Sequence, residues 1–338
     1  MMASMHRSFV SLGPPAGHGS RPIQGIWHAE GTPTTAVIAT HYDVDFSEHY
    51  LAGPLARRGF GFLGWNTRFR GNGTYFTLDT ALADIDEGAR WLRDEAKVDT
   101  VVLLGNSGGA SLMGAYQATK ESGDLFVSLN AHPGRPDVLT AWMDPSVTDE
   151  SDPFSRDPSL DMFEREPPFD AEFVQRYRDA QRARNDRITD WALGELEHGE
   201  RVFTVHRTWA DLRFQDMTLD PSDREPGCYA GDPKRANESP FGIGRTNTLR
   251  TWLDMWSLRS SRCRAEPHLA KIEVPSLVVQ STADQGCFPS DAQAIFDALG
   301  SDEKRIDFVR GDHYLIDEGA REEVAEFIAG WIRANVSA

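Results

Sequence analysis

Short apolar runs recur along the chain and are separated, over much of it, by amphipathic stretches. Runs rich in β-branched and aromatic residues fall near positions 7–12 and 22–29, then at Ala36-Val37-Ile38-Ala39-Thr40, at Gly59 to Trp65, at Val101-Val102-Leu103-Leu104 and at Leu125 to Leu129. Each is short, dense and bounded by turn formers, so each reads as a strand. Leu82, Ile85, Ala89 and Leu92 form an apolar stripe at helical spacing between the fourth and fifth runs. Strands alternating with helices in this way predict a parallel sheet with helices on its faces. The rhythm breaks after Pro133, where residues 144–170 are rich in Asp, Glu, Pro and Ser and read as a surface loop. Helices are predicted near 171–198 and 243–261. The strand pattern resumes at Val274 to Gln280, followed by a helix from Ala292 to Leu299, a strand from Arg305 to Val309 and a closing helix from Arg321 to Asn335.

The run at Val101 to Leu104 ends abruptly on Gly105-Asn106-Ser107-Gly108-Gly109, and Ala110, Leu112, Met113 and Ala115 continue at helical spacing. A serine in a sharp strand-to-helix turn is held in a strained backbone conformation. Glycines two before and two after it remove the Cβ atoms that would collide. A serine opening a helix also serves as an N-cap, but an N-cap needs no flanking glycines. As a nucleophile Ser107 requires a base within hydrogen-bond reach and an acid to fix the tautomer of that base. The strand ending at Gln280 runs into Asp284, and the next runs into Asp312-His313. Asp284 and His313 therefore stand where acid and base are needed.

Ser107, Asp284 and His313, in that order and each just past a strand, resemble the arrangement of the α/β-hydrolase superfamily. The resemblance covers residues 7–132 and 270–338. It implies an α/β fold with a mostly parallel eight-stranded sheet flanked by helices, a nucleophile elbow at Ser107, and a core of residues 1–132 and 269–338. Residues 133–268 would then be an inserted, mainly helical cap that sets substrate choice. Some members of the superfamily take the acid from the end of the sixth strand, which makes Asp137 the alternative to Asp284. The oxyanion of acyl transfer needs two backbone donors, one from the residue after the nucleophile and one from the loop after the third strand. The first is Gly108. Aligning His41 with the histidine that relatives carry in that loop makes Asp43 the second donor, with Tyr42 as the alternative. Tyr42 stands where relatives have glycine, and the Asp43 carboxylate must turn away from an adjacent oxyanion.

His132, at the end of the sixth strand, and Trp209 and Trp252, in the insertion, are the candidate substrate-binding residues. Five of the nine tryptophans (Trp142, Trp191, Trp209, Trp252 and Trp256) fall in the insertion, where aromatics form a small core of their own and one or two are left to face substrate. Arg68 and Arg70, in the loop after the fourth strand, read as partners in structural ion pairs. Cys287, three residues beyond Asp284, reads as an inert neighbour.

Composition narrows the partners. The 338 residues carry a formal net charge of −17, which disfavours nucleic acid and anionic membrane surfaces. Three cysteines without C-x-x-C spacing suit neither a disulfide framework nor a zinc or redox site. The first 20 residues hold no basic region followed by an apolar segment, and no apolar stretch reaches membrane-spanning length. A cytoplasmic protein is expected, without metal or cofactor, whose partner is a small ester-type molecule; homodimerisation is left open. The expected activity is a serine esterase or lactonase working through an acyl-enzyme. A thioesterase or a carbon–carbon bond hydrolase would use the same triad, and a non-catalytic binding protein of the same fold is the remaining class. Dehalogenases and epoxide hydrolases of this fold use an aspartate nucleophile, which Ser107 argues against.

Overall fold

A computed structural model describes residues 6–15, 17 and 21–336. The first 20 residues, read above for a basic region and an apolar segment, lie partly outside that set. The chain divides into two units. One comprises residues 1–72, 78–133 and 265–338, and the other residues 73–77 and 134–264.

The first unit is built on one eight-stranded sheet: β1 (His6–Leu12), β2 (Ile23–Ala29), β3 (Thr35–Thr40), β4 (Gly61–Asn66), β5 (Thr100–Asn106), β6 (Leu125–Leu129), β7 (Ser276–Ser281) and β8 (Lys304–Val309). Their order is β1-β2-β4-β3-β5-β6-β7-β8. β2 is antiparallel to both its neighbours, and every other pairing is parallel. The middle strands β3, β4, β6 and β7 are buried along their whole length, as continuous apolar runs covered on both faces must be. The outer strands β1 and β8 are partly exposed: Arg7, Phe9 and Ser11 of β1 and Arg305 and Phe308 of β8 face solvent.

Alternation along each strand assigns its side chains to faces. Val37, Phe62, Val102, Val127 and Leu277 pack in one cluster with Leu55 of α1 (Ala52–Ala56) and with Val324, Ile328 and Ile332 of the C-terminal helix Glu318–Asn335. The alternate residue Trp65 meets α2 (Leu78–Asp94), donating its indole N–H to the Asp84 carbonyl at 2.8 Å. The Asp84 carboxylate is fully buried and takes the backbone N–H of Arg68 at 2.9 Å and its guanidinium Nε at 3.0 Å. That pair anchors the loop after β4. Arg70 faces Asp45 across 3.5 Å at the surface. Both arginines thus pair with carboxylates.

The second unit departs from the sequence reading in two places. Residues 144–170 were expected to form a surface loop, yet Val147–Asp149 and Asp152–Arg156 make a hairpin, and Met162 is buried against Phe173, Tyr177 and Leu212. The acidic residues are spent on turns and ion pairs instead of solvent. Asp157, Asp161 and Asp170 each accept a backbone N–H at the start of a helical turn, and Asp144, buried, binds Arg207 Nε at 2.8 Å. The long helix Ala171–Leu196 supports them from its polar side. Its Arg184 is fully buried and reaches Glu150 at 2.7 Å and the carbonyls of Asp144 and His206.

The helix expected over 243–261 shrinks to Leu249–Trp256. Thr246–Thr248 pairs as a strand with Val202–Thr204, and the helix closes on a wide turn in which the Ser257 N–H bonds to the Trp252 carbonyl at 2.9 Å. Trp252 is fully buried, with its indole N–H on Thr189 Oγ1 at 3.1 Å. Trp209 is nearly buried, its N–H on the Phe241 carbonyl at 3.0 Å and its ring 4.9 Å from that of Trp142. Among the described residues, no helix is long and apolar enough to cross a membrane.

Candidate active site

β5 delivers Ser107. The residue has a φ of +56°, a conformation that a non-glycine side chain adopts at a cost of about 1–3 kcal/mol. It leaves β5 with its N–H on the Leu129 carbonyl at 3.0 Å and is followed at once by α3 (Gly109–Lys120). The two flanking glycines are required by contact. A Cβ on Gly105 would lie 2.2 Å from the Ala110 Cα, and one on Gly109 would lie 2.3 Å from the Thr40 carbonyl oxygen. The turn is thus so tight that α3 starts against both its own strand and the end of β3. Ser107 itself stays partly exposed.

β5, β6, β7 and β8 run parallel, so Ser107, Asp284 and His313 leave the same edge of the sheet. The structure brings Asp284 and His313 together: His313 Nδ1 lies 2.7 Å from Asp284 Oδ2, and both side chains are buried. The other carboxylate oxygen, Oδ1, accepts the N–H groups of Gly286 and Cys287 at 2.8 and 2.9 Å. These bonds fix the carboxylate, and with an acceptor oxygen facing Nδ1 the neutral His313 ring places its N–H there and leaves Nε2 with a lone pair. Two main-chain bonds, Thr282 N–H to Val309 O and Ala283 N–H to Gly311 O, tie the loops that bear Asp284 and His313. Asp312, beside His313, caps its own turn by accepting the N–H groups of Tyr314 and Ile316. Asp137, the alternative acid, belongs to the second unit, where it pairs with Arg264 at 3.2 Å.

The loop after β3 lies against the first turn of α3. Tyr42 is fully buried, and its hydroxyl sits 3.0 Å from Ser111 Oγ, which in turn donates to the Gly108 carbonyl. Thr67 holds the Tyr42 carbonyl at 2.9 Å and the Gly71 N–H holds that of Asp43 at 2.7 Å. The Asp43 carboxylate is half-buried and turned toward His41, 3.7 Å away. His132 is buried just beyond β6. Cys287 is buried too, and its thiol, the Asp284 carboxylate and a His313 ring nitrogen lie within 4.8 Å of one another. These are the donor types that a soft divalent ion takes. Nδ1 and Oδ2 are, however, already bonded to each other.

Sequence reasoning missed the support behind the elbow. His49 is buried and stacked on Phe62; its Nδ1 accepts the Leu51 N–H at 3.2 Å and its Nε2–H points to Asn106 Oδ1 at 3.3 Å. The Asn106 amide then donates to the Leu129 carbonyl, the acceptor that also takes the Ser107 N–H. No motif marks His49, because its role depends on a partner 57 positions away. Burial drives its pKa down from 6.5 to about 4. In the unfolded chain it protonates near its ordinary value of about 6.5, so between those two pH values the unfolded state holds the extra proton. Stability contributed by the neutral ring is whole above that window and is lost as pH falls through it. Against a His49→Gln variant, wild-type unfolding free energy is expected to drop by about 2–3 kcal/mol more between pH 7 and pH 4.5. Urea unfolding at the two pH values measures this; parallel losses would remove His49 as the titrating group.

No protein-family model matches the sequence, and no curated protein matches it. Solved structures do match in fold. DcsB, determined in complex with its substrate analogue, is 13% identical with a TM-score of 0.62, the match covering 98% of this chain and 100% of that one. The α/β hydrolase GrgF from Penicillium sp. sh18 is 11% identical with a TM-score of 0.59, over 98% and 99% of the two chains. Est1E from Butyrivibrio proteoclasticus is 12% identical with a TM-score of 0.55, over 97% and 98%.

Proposed function

The chain adopts the α/β-hydrolase fold, and from its site we propose a serine hydrolase that cleaves a carboxylic ester or lactone through an acyl-enzyme. One observation carries the reading: a strained serine at a strand end shares its sheet edge with a buried His313–Asp284 pair bonded at 2.7 Å. Structures of the same fold described as esterases, among them an esterase domain from a Rhodothermus marinus protein and the Pyrococcus furiosus esterase Pf2001, support the choice of ester chemistry.

In the proposed cycle, His313 Nε2 takes the proton of Ser107 as Oγ attacks the ester carbonyl. The carbonyl π bond opens onto oxygen, and Asp284 stabilises the imidazolium that forms. The N–H of Gly108 and that of Asp43, or of Tyr42, face the oxyanion, assisted by the N-terminus of α3. Collapse of the tetrahedral intermediate breaks the bond to the alkoxide, which receives the proton from Nε2. Water then gives a proton to Nε2 and attacks the acyl carbon, and the second collapse returns that proton to Ser107 and releases the acid.

A fluorophosphonate probe is expected to add one phosphonyl group to the tryptic peptide holding Ser107, seen by mass spectrometry. The enzyme is expected to turn over members of a panel of p-nitrophenyl esters and lactones. Labelling elsewhere, or thioester cleavage with no ester turnover, would count against the proposal.

A further inference from the structure

We propose that Asn130 is a positioning residue for the His313–Asp284 pair, an inference that rests on the serine hydrolase reading above. Asn130 follows β6, is fully buried and has a φ of +45°, a left-handed conformation that asparagine tolerates better than most residues. In register, Asn106 of β5, Leu129 of β6 and Val279 of β7 stand side by side. Asn130 therefore emerges between the strand that delivers the serine and the strand that delivers the acid.

From there it joins three segments. Its backbone N–H bonds to the Val279 carbonyl at 2.9 Å. Its Oδ1 accepts the N–H of Ser281, where the strand gives way to the Asp284 loop, at 2.7 Å. Its Nδ2 donates to the carbonyl of His313 itself at 3.1 Å. Both arms of one planar amide are thus used at fixed separation, one on the acid's loop and one on the base's own residue. The geometry also settles which end of the amide points where, since a backbone N–H needs the oxygen and a carbonyl needs the NH₂.

The sheet does not require this. The strand ladder and the main-chain bonds from Thr282 and Ala283 already hold β7 beside β8. What the amide adds is a hold on His313, whose residue lies beyond the last strand pairing. Misplacement of a catalytic group by about 1 Å can cost about 100-fold in rate, so a small side chain here has leverage on kcat that its packing alone would not explain.

The test uses Asn130→Gly, which keeps the left-handed backbone while deleting both arms, and Asn130→Asp, which keeps an acceptor for Ser281 but turns an oxygen onto the His313 carbonyl. On p-nitrophenyl acetate, kcat is expected to fall by about 10–100-fold in the glycine variant, with KM within threefold of wild type. The aspartate variant is expected to lose at least as much. Independently of hydrolysis, the low-field proton resonance of the His313–Asp284 bond is expected in wild type and to broaden or vanish in Asn130→Gly. In the wild-type protein, the Asn130 side-chain amide protons are expected to exchange slowly with solvent, a measurement that needs no variant to fold. A folded glycine variant with wild-type kcat and an unchanged low-field resonance would overturn the proposal, as would a wild-type side-chain amide that exchanges as fast as a free asparagine. Failure of the underlying reading has a different signature: hydrolysis that survives Ser107→Ala, with the low-field resonance still sensitive to Asn130.

Discussion

Replacing Ser107 with alanine is expected to lower kcat on the best ester by several orders of magnitude, as removal of the nucleophile from a coupled Ser-His-Asp unit does. The fold is expected to survive with its melting temperature nearly unchanged. The elbow is held by contacts that alanine keeps: the backbone N–H on Leu129, the close approaches at Gly105 and Gly109, and the brace of Asn106 by His49. The positive φ is as uncomfortable for alanine as for serine, so little strain is gained or relieved. Fluorophosphonate labelling should disappear in parallel with hydrolysis. A purified variant that kept more than about a tenth of wild-type kcat would require another nucleophile and would withdraw the mechanism.

Asp284→Asn is expected to be nearly as damaging, for a reason visible in the hydrogen bonds. Oδ1 is pinned by the N–H groups of Gly286 and Cys287, so an asparagine must keep its oxygen there and turn its NH₂ toward His313. The histidine then has to accept at Nδ1 and carry its proton on Nε2, the wrong tautomer for taking a proton from serine. A loss on the order of 10⁴ in kcat accompanies such a tautomer reversal in the well-known serine protease case, and a similar scale is expected here with KM little altered. The inverted tautomer is itself measurable by ¹⁵N chemical shifts of the His313 ring. Loss of activity without that inversion would mean that Asp284 matters for loop structure alone, and retained activity would mean that the acid lies elsewhere.

The features legible in the sequence are the ones that short-range chemistry determines. A short β-branched run such as Val101 to Leu104, bounded by turn formers, reads as a strand, and Gly105 is demanded locally, since a Cβ there would meet Ala110 five residues on, whereas the clash that demands Gly109 is with Thr40 of β3. Strands alternating with helical stripes already implied the parallel sheet, since a parallel pair needs a long crossover connection. The positions of Asp284 and His313 just past two strands could also be read, because strand ends are local events.

Tertiary structure decided the fate of the polar residues, for the opposite reason. A carboxylate, an amide or an imidazole is compatible with water or with burial, and only a distant partner selects between them. The acid-rich stretch at 144–170 looked like a solvated loop until Asp144 met Arg207 and Glu150 met Arg184, across 63 and 34 positions. Asp284 closes on His313 across 29 positions and Asn130 on His313 across 183. Sequence by itself thus determined the strand-and-helix frame and the turn that bears Ser107. Three-dimensional packing alone decided which buried polar groups were paired, and through them how Asp284, His313 and their supports are held.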